Sequence, residues 1–526
     1  MRKERKFGAA AKMAAAAKMA VAAGIAAGAG IAAGAAAALT ACAVGPNYHR
    51  PTPPADSGYG AAPTTGAISA AEGAAGNAQR GDAQRFVAGM DIPSEWWALF
   101  KSPKLNVLIE HAIKGNPNVG AAQAALKQAH ELYLAQKASF FPNVQGGFSA
   151  DRSEYPAGTL TTPANTSSPT YNLYTAQLTL SYMPDVWGAT RRAVEMAKAQ
   201  ELSTRFQLEA TYLTLTSNVV VTAITEASLR AQIKSSQRLL ELQHQLTDTA
   251  LKQRALGTTS NLDVLAQQSA EAVIAQTLPP LEKQLGQTRD ALTALLGRLP
   301  AEEPTETFTA DDLTLPEDLP VSVPSKLIEQ RPDVRQAEEN LHAASAAVGI
   351  AIADMLPQFA ITGDIGSSAL KLGQLFSPYT GFWDAGASLT QTLFDAGALL
   401  HKKRAADAAL DQAGAQYRAA VILACQNVAD TLRALKADAD ALRASVDAER
   451  AARQTWDLVR HQRELGTISP VAVMNTELAF AQAELAVSQA QANRYSDTAG
   501  LFQALGGGWW NRREEPHYEQ PGPAGE

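Results

Sequence analysis

Two cysteines, few aromatics and, past the N-terminal segment, no run of 18 apolar residues set the first limits on this 526-residue chain. With only Cys42 and Cys425 there is no disulfide framework, and no Cys/His spacing suits a metal. Without a long apolar run no downstream helix can cross a membrane, so any spanning structure must be a β-barrel. Phosphate-binding glycine loops and a Gly-x-Ser-x-Gly elbow are missing, and His130-Glu131 lacks a second histidine four residues after the first. These absences argue against catalysis, a cofactor or a resident metal. Basic excess is missing too. Residues 1–41 hold six Lys/Arg and one Glu, and removing their +5 from the total of −7 leaves −12 for the remainder. That balance speaks against nucleic acid, which wants a basic face.

The most telling absence is internal. Residues 189–256 contain no Gly or Pro, and 398–465 contain only Gly414. Each stretch as a single helix would be roughly 100 Å long, enough to cross a compartment. The two stretches belong to a duplication. Asn116-Pro117-Asn118-Val119 recurs as Arg331-Pro332-Asp333-Val334, and Phe141-Pro142 as Leu356-Pro357, at an offset of 215. Arg254-Ala255-Leu256-Gly257-Thr258 recurs as Arg463-Glu464-Leu465-Gly466-Thr467, and Leu296-Gly297 as Leu505-Gly506, at an offset of 209.

Before the repeats, Arg2, Lys3, Arg5 and Lys6 precede an Ala/Gly-rich apolar run ending at Leu39-Thr40-Ala41-Cys42. This pattern is a secretory signal over 1–41, with an uncleaved membrane helix as the alternative. Cys42 follows a lipobox-like sequence and is expected to be lipidated, the alternative being a plain signal with an incidental cysteine. Residues 42–92, rich in Ala, Gly, Pro, Ser and Thr, read as a tether.

Each half then has the same order. A helical pattern runs from Ser94 through Trp96-Trp97 to Ile109, and another from Pro117 to Phe140. The period next changes to two. In 172–182, Tyr174, Ala176, Leu178, Leu180 and Tyr182 share one face, and Thr175, Gln177, Thr179 and Ser181 the other. Such alternation fits a membrane barrel strand or a soluble sheet with one wet face. Each half supplies two candidates, near 143–152 and 172–183, then 358–367 and 383–394. Four strands cannot close a membrane barrel, so subunits must pool them, and three copies would make twelve.

In the second long stretch Val421, Cys425, Val428, Leu432, Leu435, Ala439, Leu442 and Val446 form a heptad seam. Asp438, Asp440, Arg443, Asp447, Glu449 and Arg450 lie off it and read as a solvated face. Shorter helices return over 260–296 and 469–505, with Ser260 and Ser469 at the N-cap positions. Pro279-Pro280 should kink or break the first. Residues 301–324, acidic and Pro-rich, read as an irregular connector.

These residues together resemble TolC-like outer-membrane efflux channels of the OprM/NodT lipoprotein branch. The resemblance covers roughly 39–510. It rests on Ala41-Cys42, Gly45-Pro46-Asn47-Tyr48-His49-Arg50-Pro51, Trp96-Trp97, Leu319-Pro320-Val321-Ser322-Val323-Pro324-Ser325, Gln330-Arg331-Pro332-Asp333-Val334 and Leu505-Gly506-Gly507-Gly508-Trp509. It implies a mainly α chain whose repeats, 93–300 and 325–510, form a trimeric twelve-stranded β-barrel continuous with a long α-helical periplasmic barrel. The connector would then be equatorial, and 511–526 a flexible tail.

The resemblance also implies a homotrimer in the cell outer membrane, anchored by lipid at Cys42 and extending into the periplasm. Its partners would be a periplasmic adaptor and an inner-membrane pump of resistance-nodulation-division type. Gly257, Thr258, Gly466 and Thr467 take the positions of the adaptor-docking tip. Asp263 and Asn475 take those of a constricted aperture, where a ring of like charges would raise carboxyl pKa values. Ala472 stands opposite Asp263 in the repeat, and Asn475 stands where relatives commonly have Asp, so only one acidic ring is expected. Two other readings remain open: an exit duct for type I protein secretion, and a structural lipoprotein without a pore.

Overall fold

The computed structural model describes residues 43–52, 59, 66–68, 84–154, 170–321 and 324–512. Its strands are β1 (Gly66–Ile68), β2 (Gln84–Ala88), β3 (Asn143–Glu154), β4 (Thr170–Tyr182), β5 (Asp318–Val321), β6 (Gln358–Ala369) and β7 (Gly381–Thr390). Its helices are α1 (Pro103–Gly115), α2 (Pro117–Ala138), α3 (Ala189–Ala255), α4 (Asn261–Ala275), α5 (Leu278–Leu295), α6 (Pro324–Gln330), α7 (Pro332–Ala353), α8 (Ala398–Glu464) and α9 (Pro470–Ala504). Two compact units result, and neither coincides with a sequence repeat. One gathers residues up to 49 with 129–201 and 340–414, the other 50–128, 202–339 and everything from 415.

The first unit holds a four-stranded antiparallel sheet in the order β3-β4-β6-β7. Its register pairs Ala176 with Phe148, Leu178 with Ile365, and Ile365 with Trp383, so the apolar residues of all four strands share a face. That face is bare in the single chain: Phe148 is 61% exposed and Trp383 77%. The opposite face is polar and internally bonded. Thr175 and Ser368 hydroxyls lie 3.1 Å apart, and Gln177 Nε2 donates to Asp364 Oδ1 at 3.2 Å. An apolar outer face and a hydrogen-bonded inner face suit a barrel wall between lipid and water. β7 stops at Thr390, four residues before the expected end.

Around this sheet the chain after Cys42 is docked rather than loose. Val44 N–H donates to the Trp187 carbonyl at 3.0 Å, Arg192 Nη2 donates to Asn47 Oδ1 at 2.7 Å, and Tyr48 stacks on His342 with centroids 4.3 Å apart. Gly45 has φ +92°, and a Cβ there would lie 2.5 Å from the Gly349 Cα. Two backbones therefore touch where both residues are glycine, which explains the glycine of the Gly-Pro-Asn-Tyr run.

In the second unit the long helices pair with their return helices. α3 and α8 each span 67 residues, ending one residue short of the expected limits. The heptad seam on α8 is buried at Val428, Leu432, Leu435, Ala439, Leu442 and Val446. Each such Leu or Val contributes about 1.5–3 kcal/mol by leaving water. Ala424 is more buried than Cys425, so the seam's narrow point lies one residue earlier. The first return helix is broken at Gln276-Thr277, just before Pro279-Pro280, whereas α9 runs unbroken for 35 residues. Proline at N1/N2 lacks the N–H that a continuous helix would need.

Four expectations change. The helix through Trp96-Trp97 is a 3-10 turn, Trp96–Phe100, separated from α1 by Lys101 at φ 52° and the Ser102 N-cap. The tether and the connector are not wholly irregular: β2 pairs in parallel with β5 and antiparallel with β1. Gln84 joins them to α9, its Nε2 donating to the Pro316 carbonyl and Thr498 Oγ1 while Arg494 Nε donates to its Oε1. On α8, Glu449 is buried and ion-paired with Arg453 at 2.7 Å. Asp438 is half-buried against Asp497, so neither acid belongs to a solvated face.

Candidate functional site

Both long helices end in the same way, and the cause is local. Gly257 (φ +74°) and Gly466 (φ +77°) occupy the left-handed position that terminates a helix. Gly257 N–H donates to the Arg254 carbonyl and Thr258 N–H to the Gln253 carbonyl, both at 2.9 Å. Gly466 and Thr467 repeat the pattern on Arg463 and Gln462, at 2.9 and 3.1 Å. Each threonine hydroxyl donates to the same carbonyl as its own N–H. Leu-Gly-Thr is therefore a helix stop with a doubled bond. A Cβ at either glycine would meet nothing within 4 Å, so the turns face open space. Leu256 and Leu465, also at equivalent positions, are 79% and 66% exposed beside them.

Asp263 lies on the first turn of α4. Its Oδ2 accepts from Ser260 N–H at 3.1 Å, Ser260 Oγ at 2.7 Å and Thr259 Oγ1 at 2.9 Å, while Ser260 Oγ accepts from Asp263 N–H. This is a capping box. Within one chain the Ser260 and Thr259 bonds hold the carboxyl below the usual carboxylate range. In the second half Ser469 accepts from Ala472 N–H at 3.3 Å, and Pro470 stands where no N–H is needed. The chain thus uses an acid in one half and a proline in the other for the same local task. Asn475 is exposed one turn further along α9. Among the described residues the partners of Asp263 are Ser260 and Thr259, and no hydrogen bond joins it to Asn475. Cys42 lies outside the described residues.

A contact not anticipated from the sequence lies higher on each hairpin. In the first half His244 Nδ1 and Glu271 Oε1 are 2.8 Å apart. At the equivalent positions of the second half the Arg453 guanidinium sits 5.2 Å from the Phe480 ring, which stacks on Trp456 at 5.4 Å. The 209-residue offset would have aligned these pairs, but neither pair matches a motif on its own.

This pairing of an amphipathic four-stranded wall with two capped helical hairpins is not confined to this chain. The sequence pattern of outer membrane efflux proteins matches residues 108–298 and 323–507. The chain belongs to the outer membrane efflux protein family. Pyoverdine export outer membrane protein OpmQ of Pseudomonas putida is 30% identical, over 79% of this chain and 88% of its own length. Antibiotic efflux pump outer membrane protein ArpC of Pseudomonas putida is 27% identical, over 92% and 95%. The outer-membrane channel OprN superposes with a TM-score of 0.76 at 26% identity, covering 89% of this chain and all of that one. Efflux channels of this family are trimers that work with an adaptor and an inner-membrane pump. The chain is therefore the outer-membrane channel subunit of a tripartite efflux system, its sheet contributing four strands to a shared barrel.

Proposed function

We propose that three copies form a passive conduit for small molecules, closed near Asp263 and Asn475 and docked to its adaptor at the Gly257-Thr258 and Gly466-Thr467 turns. The observation that carries this reading is the tip itself: two equivalent turns, capped alike, point into open space with an exposed leucine before each glycine. The relatives' cargoes, pyoverdine and antibiotics, favour small-molecule efflux over protein secretion. The lipobox and the Arg331-Pro332-Asp333-Val334 region favour efflux over secretion by family resemblance, and a pump of resistance-nodulation-division type is the partner that goes with that resemblance. The conduit does no catalysis of its own in this reading.

Lipid at Cys42 completes the assignment. Residues 44–48 are held against the ends of α3 and α7 in the unit that carries the membrane sheet. An acylated residue 42 would thus start beside the barrel, where an anchor is useful. Native mass spectrometry in detergent tests the assembly and should find three chains per particle. Single-channel recording in planar bilayers tests conduction. A stable, conducting monomer would overturn the shared barrel, and a trimer without conductance would overturn the conduit.

A further inference from the structure

All four strands of the membrane sheet meet helices at the same end: α2 leads into β3, β4 into α3, α7 into β6 and β7 into α8. The loop joining β6 to β7, residues 370–380, therefore lies at the opposite end, where the barrel meets the cell exterior. Leu370, Leu372, Phe376 and Tyr379 are all exposed there. The loop is nonetheless fixed. Backbone N–H groups of Gln374, Leu375 and Ser377 donate to the carbonyls of Lys371, Leu372 and Gln374 at 3.0, 3.2 and 2.9 Å. Phe376 and Tyr379 hold φ of 68° and 76°, a region that side chains avoid and a glycine would take freely. Turn formation alone does not call for aromatic residues in those positions.

Ser367 shows which way the loop leans. It shares the face of Ile365 and Trp383, since Ile365 pairs with Trp383 and Ser367 with Gly381 two residues along. Ile365 and Trp383 are bare, as lipid-facing residues should be, yet Ser367 is only 3% exposed and Ala369 7%. The loop is the cover. Phe376 N–H donates to Ser367 Oγ at 3.1 Å, and Ser367 Oγ donates to Thr380 Oγ1 at 2.7 Å. Ser368, on the other face, is half-buried and shares its hydroxyl with Thr175 instead. The loop thus leans over the apolar outside of the wall and not over its polar inside. About 9–11 tilted residues cross the hydrocarbon layer, so the 12 of β6 bring Ser367 to its outer edge.

We propose that the 370–380 loop seats the channel in the outer leaflet, its apolar side chains among acyl chains and Lys371 on a lipid phosphate. The apolar patch continues the wall that already faces lipid, and its rings stand at the level where hydrocarbon gives way to head groups. Lys371 is the only charged residue of the loop. It is exposed, and no ion pair is recorded for it among the described residues. A lysine stem can lie along apolar surface while its ammonium reaches a phosphate. Continuity with the lipid-facing wall and the single positive charge together select an anionic lipid as the occupant.

The inference rests on the barrel reading, and a control inside the wall separates the two. Spin labels are placed at Tyr379→Cys and, separately, at Phe148→Cys on a Cys425→Ser background whose own signal is subtracted. Trimers are reconstituted in vesicles of phosphatidylcholine and phosphatidylglycerol. Collisions with oxygen, which concentrates in hydrocarbon, are compared with collisions with a water-soluble nickel chelate. Position 148 should favour oxygen strongly, and position 379 should fall between it and a free label in water. Nickel preference at 148 would overturn the barrel reading. Oxygen preference at 148 with a water-like ratio at 379 would overturn the lipid seat alone. In detergent, wild-type trimers should bind fluorescent phosphatidylglycerol about fivefold more tightly than its phosphatidylcholine analogue, the effect of one lysine near a lipid surface. Lys371→Ala should abolish that preference. Phe376→Gly/Tyr379→Gly, which relieves the backbone, should weaken both lipids alike. A preference that survives Lys371→Ala, or unchanged binding in the glycine variant, would overturn the seat as drawn.

Discussion

Asn116 and Arg331, 215 positions apart, cap two equivalent helix ends: Asn116 Nδ2 donates to the Leu295 carbonyl at 2.9 Å, and Arg331 Nη1 to the Ala504 carbonyl at 3.0 Å. In each half the return helix ends against the start of the half's own short helix, so the side chain at its entrance satisfies a carbonyl the return helix cannot. The approach is close. A Cβ on Gly297 would lie 2.1 Å from the Gly115 carbonyl oxygen, and one on Gly506 would lie 2.6 Å from that of Gln330. Both glycines also have positive φ, +73° and +97°. This is the physical content of the Leu-Gly repeats at the ends of the two halves.

Removing the cap should therefore weaken each junction. Arg331→Leu leaves a buried carbonyl unpaired and also loses the ion pair to Asp333, so a cost of about 1–3 kcal/mol is expected. Thermal melts followed by helical circular dichroism should show it. Gly506→Ala should cost more than Gly89→Ala, because both have positive φ but only Gly506 meets backbone. Equal melting of those two variants would contradict the close approach.

At the aperture, Asp263→Ala should change cation selectivity or block in single-channel recordings. The carboxyl is held below the usual range, so its charge persists as pH falls from 7 to 5. The difference between wild type and Asp263→Ala should be the same at both pH values. The Ser260 cap is stabilised only while Asp263 is ionised, and that contribution is lost as pH falls through the depressed pKa. Because Ala472 and Asn475 are neutral, divalent cations should block only weakly.

Tip variants should separate docking from assembly. Gly257→Trp and Gly466→Trp face open space, so trimers should survive while crosslinking to the adaptor and export are lost. Export and crosslinking that persist in both would place the docking surface elsewhere.

Asp438 gives a pH prediction of opposite sign. Burial first, then the neighbouring Asp497 carboxyl, pushes it up to about 6 against the pull of Arg494. The folded chain thus binds this proton more tightly than the unfolded one, and stability rises as pH falls from about 6 towards the ordinary carboxylate range. Wild type should melt at a higher temperature at pH 5 than at pH 7 relative to Asp438→Asn. The same pH difference in both would remove Asp438 from the account.

Finally, mass spectrometry of the N-terminal peptide of the membrane-bound protein should find acyl chains on Cys42. An unmodified peptide running from Ala41 through Ala43 would exclude the anchor.

Local chemistry made much of this legible. Helix ends at 255 and 464 follow from a glycine at C′ and a threonine after it, which need no distant partner. The alternation of 172–182 sorts its side chains onto two faces whatever the neighbouring strand is. The Ser260 capping box lies within four residues, so it too is written in local sequence. Within the chain the near partners set the charge of Asp263.

What pairs across distance was not legible. The parallel pairing of β2 with β5 joins residues more than two hundred positions apart, and neither strand has enough length or pattern to announce itself. A heptad pattern marks the seam of α8 but not its flanks, so Asp438 and Glu449 looked solvated until α9 and their neighbours were in place. The sequence by itself determined the duplication, the long helices, their caps and the amphipathic strands, because each depends on spacing along one chain. Only the tertiary structure decided which faces are covered, which acids are held at a raised or lowered pKa, and which flanks stay open. Those depend on what a second segment brings within a few ångströms.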